Sequence, residues 1–321
     1  MGFPFYVAGW TWVARIDPDT QEELWRTDIP SDQVRAHVVG YDGCYYVAHE
    51  SSPWKLTKIS MEGQVEWTMT MADNSVRGLF VDEDGSIFGA YDDDRLAKWD
   101  ASGNLLLTSD IPVYAMRKAE DLGLIFLLRG QLSTRVVDPD TLQSLASTAM
   151  HTVDAGGRVY QDTSLFNNSN IRARDFTGSD FSQAWSRSNS GGASYTSALA
   201  TRMLPVGPYI VRSVRFSLGR RSRSNGGSLE ELSWGTSTYA NLTHLDPESN
   251  KIYYAASGTN TIGAVDVETM QPLWQTSIDG VLFTPHVPNV SFEDGPNLNL
   301  DAPTASTKTP ESITWTWQTI D

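Results

Sequence analysis

One cysteine, six lysines and five histidines in 321 residues leave several chemistries short of material. Cys44 alone can neither close an intramolecular disulfide nor build a thiolate metal cluster. Lying between Gly43 and Tyr45 in an apolar stretch, it is expected as a small buried core residue. The 24 basic residues are outnumbered by 39 acidic ones, giving a formal charge of -15. Phosphate binding needs clustered positive charge, so neither a nucleic acid nor an anionic membrane surface is the expected partner. No apolar run approaches the roughly 18 residues of a membrane helix, and no membrane insertion is expected. Met1-Gly-Phe-Pro-Phe-Tyr6 has no basic region leading into an apolar one, so a cleaved export leader is not expected. Long amphipathic helical patterns are also missing, which points away from helical and α/β folds. The chain has no nucleophile elbow, phosphate loop or zinc-binding helix, and Gly219-Arg-Arg221 is not such a loop. No catalytic residue, metal site or cofactor is expected.

What is present begins with enough apolar material, 40% of the residues, to bury a large core. The acids divide into 26 Asp and 13 Glu and the bases into 18 Arg and 6 Lys. That imbalance fits adaptation to high salt, where dense carboxylates keep a surface hydrated while ordinary charges are screened. An ordinary acidic protein of a GC-rich organism is the alternative.

Short alternating apolar runs separated by Gly, Asp, Asn, Pro and Ser fill the chain, the signal of an all-β protein. They also repeat. Val13-Ala-Arg-Ile-Asp17-Pro-Asp-Thr-Gln-Glu-Glu-Leu-Trp25 returns as Ile262-Gly-Ala-Val-Asp266-Val-Glu-Thr-Met-Gln-Pro-Leu-Trp274, with variants between. Asp17, Ser60, Asp100, Asp138, Asp175, a degenerate copy near Ser217, and Asp266 mark a period of roughly 40 residues, the length of a propeller blade. The second unit reads as four strands, Val34 to Val39, Cys44 to His49, Leu56 to Ser60 and Val65 to Thr70. The first lacks its inner strand and opens at Phe5 to Ala8. Val281 to Val287 is an orphan strand that would complete the first unit and remove the exposed edges. The expected fold is a seven-bladed β-propeller over residues 1–287, closed by a C-terminal strand.

Turn chemistry agrees with this division. Asp17, Asp138 and Asp266 open turns in which a carboxylate accepts from the backbone two residues on. Trp25, Trp67, Trp185, Trp234 and Trp274 fall on the outermost strands, where a large ring covers the gap between blades.

An alternating strand, then Asp-x-x-Thr/Gly, then Trp resembles the quinoprotein-type (PQQ-like) β-propeller repeat, over residues 1 to about 287. Quinoprotein dehydrogenases add an eighth blade, a vicinal cysteine pair and a calcium and quinone pocket; these are not found here, so the resemblance implies the architecture and not that activity. The character changes after Val287. A polar linker from Pro288 leads to Leu298-Asn-Leu-Asp-Ala-Pro and Ser312-Ile-Thr-Trp-Thr-Trp317, which resembles the opening strands of a fibronectin type III domain. Residues 288–321 are thus expected as a linker and a partial Ig-like module; two strands make no stable sandwich alone.

His37, His49, His151, His244 and His286 are scattered over different units without metal-ligand spacing, and structural roles are expected. Asp82-Glu-Asp84-Gly85 and Asp92-Asp-Asp94 are oxygen-rich turns that match no full calcium loop. The binding candidates are Trp10, Trp12 and Trp54, aromatic groups on loops of adjacent blades, with packing as the alternative for Trp10 and Trp12, together with Arg95 in the loop Tyr91 to Arg95 of the same face. Arg220, Arg221 and Arg223 belong to a basic island with Arg212 and Arg215, read either as a docking point for an acidic subunit or as a solvated Ser/Arg/Gly loop.

Three functions follow in order. The first is a non-enzymatic virion structural protein, a tail, baseplate or capsid-surface propeller of a virus with a halophilic host, serving assembly and host attachment. Its partners would be other virion subunits and a host surface glycan or protein. The second is a cellular propeller scaffold, cytoplasmic or at the cell surface. The third is a propeller enzyme.

Overall fold

A computed structural model describes residues 4–30, 33–71, 75–91, 93, 95–111, 113, 115–129, 133–148, 152–162, 170–188, 203–214, 217–233, 240–245, 249–256 and 259–281. Every strand in it joins one of seven antiparallel sheets, each a simple meander. Among the described residues blade 1 has three strands, β1 (Phe5–Ala8), β2 (Trp12–Ile16) and β3 (Glu23–Asp28). The other six have four. Blade 2 is β4 (Gln33–Val39), β5 (Tyr45–Glu50), β6 (Lys55–Ile59) and β7 (Val65–Thr70); blade 3 is β8 (Val76–Val81), β9 (Ile87–Tyr91), β10 (Leu96–Trp99) and β11 (Leu105–Ser109). Blade 4 is β12 (Ala115–Ala119), β13 (Leu124–Arg129), β14 (Ser133–Val137) and β15 (Ser144–Thr148); blade 5 is β16 (Thr152–Val153), β17 (Arg158–Asp162), β18 (Asn170–Phe176) and β19 (Phe181–Ser188). Blade 6 is β20 (Met203–Val206), β21 (Tyr209–Val214), β22 (Ser217–Ser222) and β23 (Ser228–Ser233), and blade 7 is β24 (Asn241–Thr243), β25 (Lys251–Ala256), β26 (Thr261–Asp266) and β27 (Gln271–Ser277). The first strands of blades 2 to 7 neighbour one another in sequence, β4 beside β8, then β12, β16, β20 and β24, and so form the inner wall of a seven-bladed β-propeller.

The core of blade 1 shows which place in a blade its first strand takes. Phe5, Tyr6, Val7 and Ala8 are wholly buried, packed between Tyr45 and Val47 of blade 2 and Tyr253 and Ala255 of blade 7. They therefore stand in the second position of a blade, as the sequence implies. Val281, just past blade 7, is buried in the same cluster. The Gly280 carbonyl oxygen lies 2.9 Å from where a Cβ on Gly9 would sit, so only glycine admits this approach. The rest of the expected closing strand and the fibronectin-like segment lie outside the described residues.

One local device recurs in all seven blades. The turn between the third and fourth strands contains a residue with positive φ: Gln21, Gly63, Gly103, Leu142, Gly178, Gly226 and Met270. Beyond it the ladder shifts by one residue, within two ladder pairs of the turn in six blades and after three in blade 5, so each outer strand carries a β-bulge. Where the turn begins with Asp, the carboxylate caps it: Asp17 Oδ1 accepts from the amides of Asp19 and Thr20 at 2.8 and 2.9 Å, and Asp138 Oδ1 accepts from Asp140 and Thr141 at 2.9 Å each. The repeat motif is thus a turn that sets register.

The residue after the bulge is Trp25, Trp67, Trp185 or Trp274 in four blades. Trp25 covers Gly63 of the next blade, where an added Cβ would meet the indole at 2.7 Å, and its Nε1–H donates to Met61 O at 2.7 Å. Trp185 covers Gly226 and donates to Arg223 O at 3.0 Å. Each indole fastens one blade to the turn of its neighbour. Trp234 lies outside the described residues, and in blade 6 Glu230 holds the equivalent position.

Candidate functional site

The β1–β2 turn lies on the face of the ring that carries the loops between second and third strands of the other blades, and among the described residues Trp10 is the exposed aromatic group there, at 47%. Trp10 stands in the β1–β2 turn, and its carbonyl accepts the amide of Val34 in blade 2 at 2.6 Å. Trp12 is half-buried against the core of blade 1, with the Arg26 guanidinium 4.0 Å from its ring centroid and Glu23 holding Arg26 at 2.6 Å. Trp54 is only 9% exposed. It packs in the core shared by blades 2 and 3 with Met71, Leu79 and Trp99, and its carbonyl accepts the Met71 amide at 2.7 Å. The three tryptophans therefore do not make one exposed aromatic surface. Arg95 reaches back to Asp93 at 2.6 Å and lies 5.1 Å from the centroid of the Tyr91 ring.

The basic island of blade 6 is neither a docking patch nor a solvated loop at two of its members, because the structure buries Arg220 and Arg221. Arg220 crosses to blade 7, where its Nη1 donates to Val267 O at 2.6 Å and to Glu268 O, and its guanidinium sits 4.5 Å from the Tyr209 ring centroid. Arg221 Nη1 donates to Gly226 O at 3.1 Å, across its own turn. Arg223 crosses the other way, to blade 5. Its Nε donates to the Tyr160 hydroxyl at 2.8 Å, its Nη2 to Asp154 Oδ2 at 2.5 Å, and Tyr160 donates to the same carboxylate oxygen at 2.8 Å. Turn carbonyls and a buried carboxylate draw these cations inward, which local sequence does not reveal. Arg212 is buried too, and Arg215 lies outside the described residues.

Blades 3 and 4 are joined in the same manner. Lys118 forms a buried ion pair with Asp82, and its Nζ lies 5.8 Å from the Tyr41 ring centroid. The acidic turn Asp82 to Gly85 is occupied by its own backbone, since Asp82 Oδ1 accepts the Glu83 amide at 2.7 Å and Asp84 Oδ1 the Ser86 amide at 2.8 Å. Arg117 beside Lys118 is fully buried, and burial draws its pKa down to about 10 against the upward pull of Glu120.

Among the described residues, His37 and His49 belong to blade 2 and His244 follows β24 of blade 7. His37 Nδ1 is 2.5 Å from the Tyr45 hydroxyl, and burial pushes its pKa down to about 3. His49 is completely buried, with Nε2 2.9 Å from Thr57 Oγ1; burial, reinforced by Lys55, pushes it down to about 4. Both rings are neutral at pH 7. His151 and His286 lie outside the described residues. Among the described residues no three His, Cys, Asp or Glu side chains converge as a metal-binding group. Cys44 is buried, and burial, with Asp42 nearby, pushes its thiol up to about 12.

Two residues of this face escaped the sequence reading. Arg35 and Arg77, both exposed, stand on the inner strands of blades 2 and 3 at equivalent places. The signal was available in Val34-Arg35-Ala36 and Val76-Arg77-Gly78, the same tripeptide pattern one repeat apart.

No family model matches the chain, and no curated protein matches it. Solved structures do. The computationally designed Ika8 protein is 15% identical with a TM-score of 0.62, over 90% of this chain and 87% of that one. The Cps50 (Swd1) β-propeller domain of Myceliophteria thermophila is 12% identical with a TM-score of 0.63, over 82% and 93%. BamB from Moraxella catarrhalis is 11% identical with a TM-score of 0.57, over 88% and 84%. At these identities the likeness is one of fold.

Proposed function

We propose that the chain is a non-enzymatic interaction scaffold and, in the finer form of this reading, a structural propeller of a virion, at the tail, baseplate or capsid surface of a virus of a halophilic host. The observation that carries the scaffold reading is the outer surface of the ring. Leu24, Leu106, Leu145, Leu229 and Leu273 are all 40% to 51% exposed. Each is the extra residue that the outer strand inserts at its bulge, in five of seven blades. In blade 3 the preceding Leu105 is exposed as well. A single exposed leucine calls for no explanation, but the same display repeated around a rim is a surface suited to protein contact.

The interior supports the same reading. Arg220, Arg223, Lys118 and the docked tryptophans tie blade to blade, giving a stiff disc that meets partners through its surface. The high-salt composition supports the virion reading, in which other subunits and a host surface glycan or protein are the partners and no cofactor is needed. The docked Trp25 and Trp185 support a quinoprotein-type repeat. The tail from Leu298, read as fibronectin-like, would join the disc to a neighbour.

Mass spectrometry of purified particles, with cross-linking of intact ones, tests the proposal. The chain is expected in the particles, cross-linked to other structural subunits. Absence from particles, with recovery in the host cell, would give it to the cellular scaffold.

A further inference from the structure

The inner strands of blades 2 and 3 each break register once, near the face that carries the β1–β2 turn. β4 skips from Val34 to Ala36 against β5, and β8 skips from Val76 to Gly78 against β9. The residue left over is arginine both times. A bulge takes one residue out of the ladder and re-aims its side chain. Two such bulges on neighbouring inner strands, both filled by arginine in a chain of net charge -15, place two exposed guanidinium groups at one mouth of the ring. Trp10 adjoins the first of them, because its carbonyl holds the amide of Val34, the residue before that bulge. Arg95 lies beside them over Tyr91, the ladder partner of Val76, but its charge is met by Asp93 at 2.6 Å, so Arg35 and Arg77 carry the site.

We infer that this mouth docks an extended acidic peptide of a protein partner, with Arg35 and Arg77 gripping carboxylates and Trp10 serving as the aromatic anchor. The inference rests on the scaffold reading and names the partner chemistry. Trp and Arg dominate the energetics of protein interfaces. The planar guanidinium fork donates two parallel hydrogen bonds to a carboxylate. The present partner of Arg35 is easily exchanged. Arg35 meets Glu50 at 3.2 Å with the two side chains 44% and 40% exposed, and exposed pairs of this kind contribute little. Two guanidinium groups on neighbouring inner strands favour a partner with more than one carboxylate, and an extended peptide with acidic residues at alternate positions presents them on one face.

The test is a fluorescence anisotropy titration of the full chain against a dye-labelled peptide of alternating glutamate and alanine, with the glutamine counterpart as control. The glutamate peptide binds and the glutamine peptide does not. Arg35→Gln and Arg77→Gln each weaken binding by about ten-fold, the size of one lost charged hydrogen-bonding group. Trp10→Ala also weakens it, and Glu50→Gln strengthens it by removing the internal competitor. Unchanged affinity in a double R35Q/R77Q variant of native circular dichroism, or no binding of the glutamate peptide to the natural chain, overturns the proposal. Tighter binding of an oligogalacturonate gives the site to an acidic glycan and overturns it. Self-association in sedimentation that the double variant abolishes gives the site to a second copy and overturns it also. Failure here while the exposed rim leucines still prove necessary for partner capture leaves the scaffold reading standing.

Discussion

The indole N–H of Trp25 donates to the carbonyl of Met61 while its ring lies over Gly63, so one side chain closes the seam between two blades. Gly63 has φ +84° and no room for a Cβ. Gly63→Ala therefore combines left-handed strain with displacement of the indole and is expected to cost about 2–3 kcal/mol. Trp25→Phe removes the hydrogen bond and part of the ring that covers Gly63, at about 1–3 kcal/mol. Urea midpoints measure both. A double-mutant cycle pairing Gly63→Ala with Trp25→Ala should show coupling, because removing the indole frees the space that the added methyl group needs.

Lys118 and Asp82 share a buried ion pair between blades 3 and 4. Lys118→Met leaves a buried carboxylate facing an apolar chain and should destabilise by about 3–5 kcal/mol. Adding Asp82→Asn removes the stranded charge. The double variant is expected to recover part of the loss in denaturant unfolding, and no recovery would mean that the pair is not coupled.

Asp154 receives both Tyr160 and Arg223. Asp154→Asn keeps the shape and removes the charge, with an expected loss of about 2–3 kcal/mol. Hydrogen exchange should quicken at the seam of blades 5 and 6 before it does elsewhere; uniform acceleration would contradict a local staple.

His49 gives the protein a pH dependence of defined sign. Its folded pKa is about 4, below the 6.5 of an unperturbed histidine, so between those values the unfolded chain binds the proton and the folded one does not. The stability it contributes is complete above pH 6.5 and falls as pH drops toward 4, at up to about 1.4 kcal/mol per pH unit. His49→Gln, which retains a hydrogen-bonding group toward Thr57, should reduce the slope of the stability curve in that window and leave the share due to His37. An unchanged slope would mean that His49 titrates normally in the fold.

Leu105 and Leu106 are exposed neighbours on the rim of blade 3. Replacing both with Glu should change stability by no more than about 0.5 kcal/mol, as for other surface substitutions. Capture of structural subunits, or incorporation into particles, should drop. Unimpaired incorporation would remove blade 3 from the contact surface.

Much of the fold was legible because the repeat carries its own punctuation. Phe5–Ala8 and Val65–Thr70 appear with the bounds expected from alternation alone, since strand ends coincide with turn residues. Blade 6, for all its polar residues, keeps four regular strands. Its arginines misled because burial depends on which carbonyls the next blade presents, and Val267 lies far along the chain from Arg220. Trp54 misled likewise, its cover coming from blade 3. Arg35 and Arg77 are concealed by the bulge itself, which breaks the period-2 pattern used to assign faces.

Val281 shares a core with Phe5 to Ala8, and this sets an order on synthesis. At ribosomal rates of roughly 5–20 residues per second, tens of seconds separate the making of Ala8 from that of Val281. Through that interval Tyr6 can already stack on Tyr45 of blade 2, while Phe5 waits for Tyr253 and Trp274 of blade 7. Blades 2 to 6 have their own strands in hand and can form as they emerge. The ring is a clasp whose first half is made at the start and whose second half comes near residue 281, so premature release anywhere before that point yields an arc with both ends open.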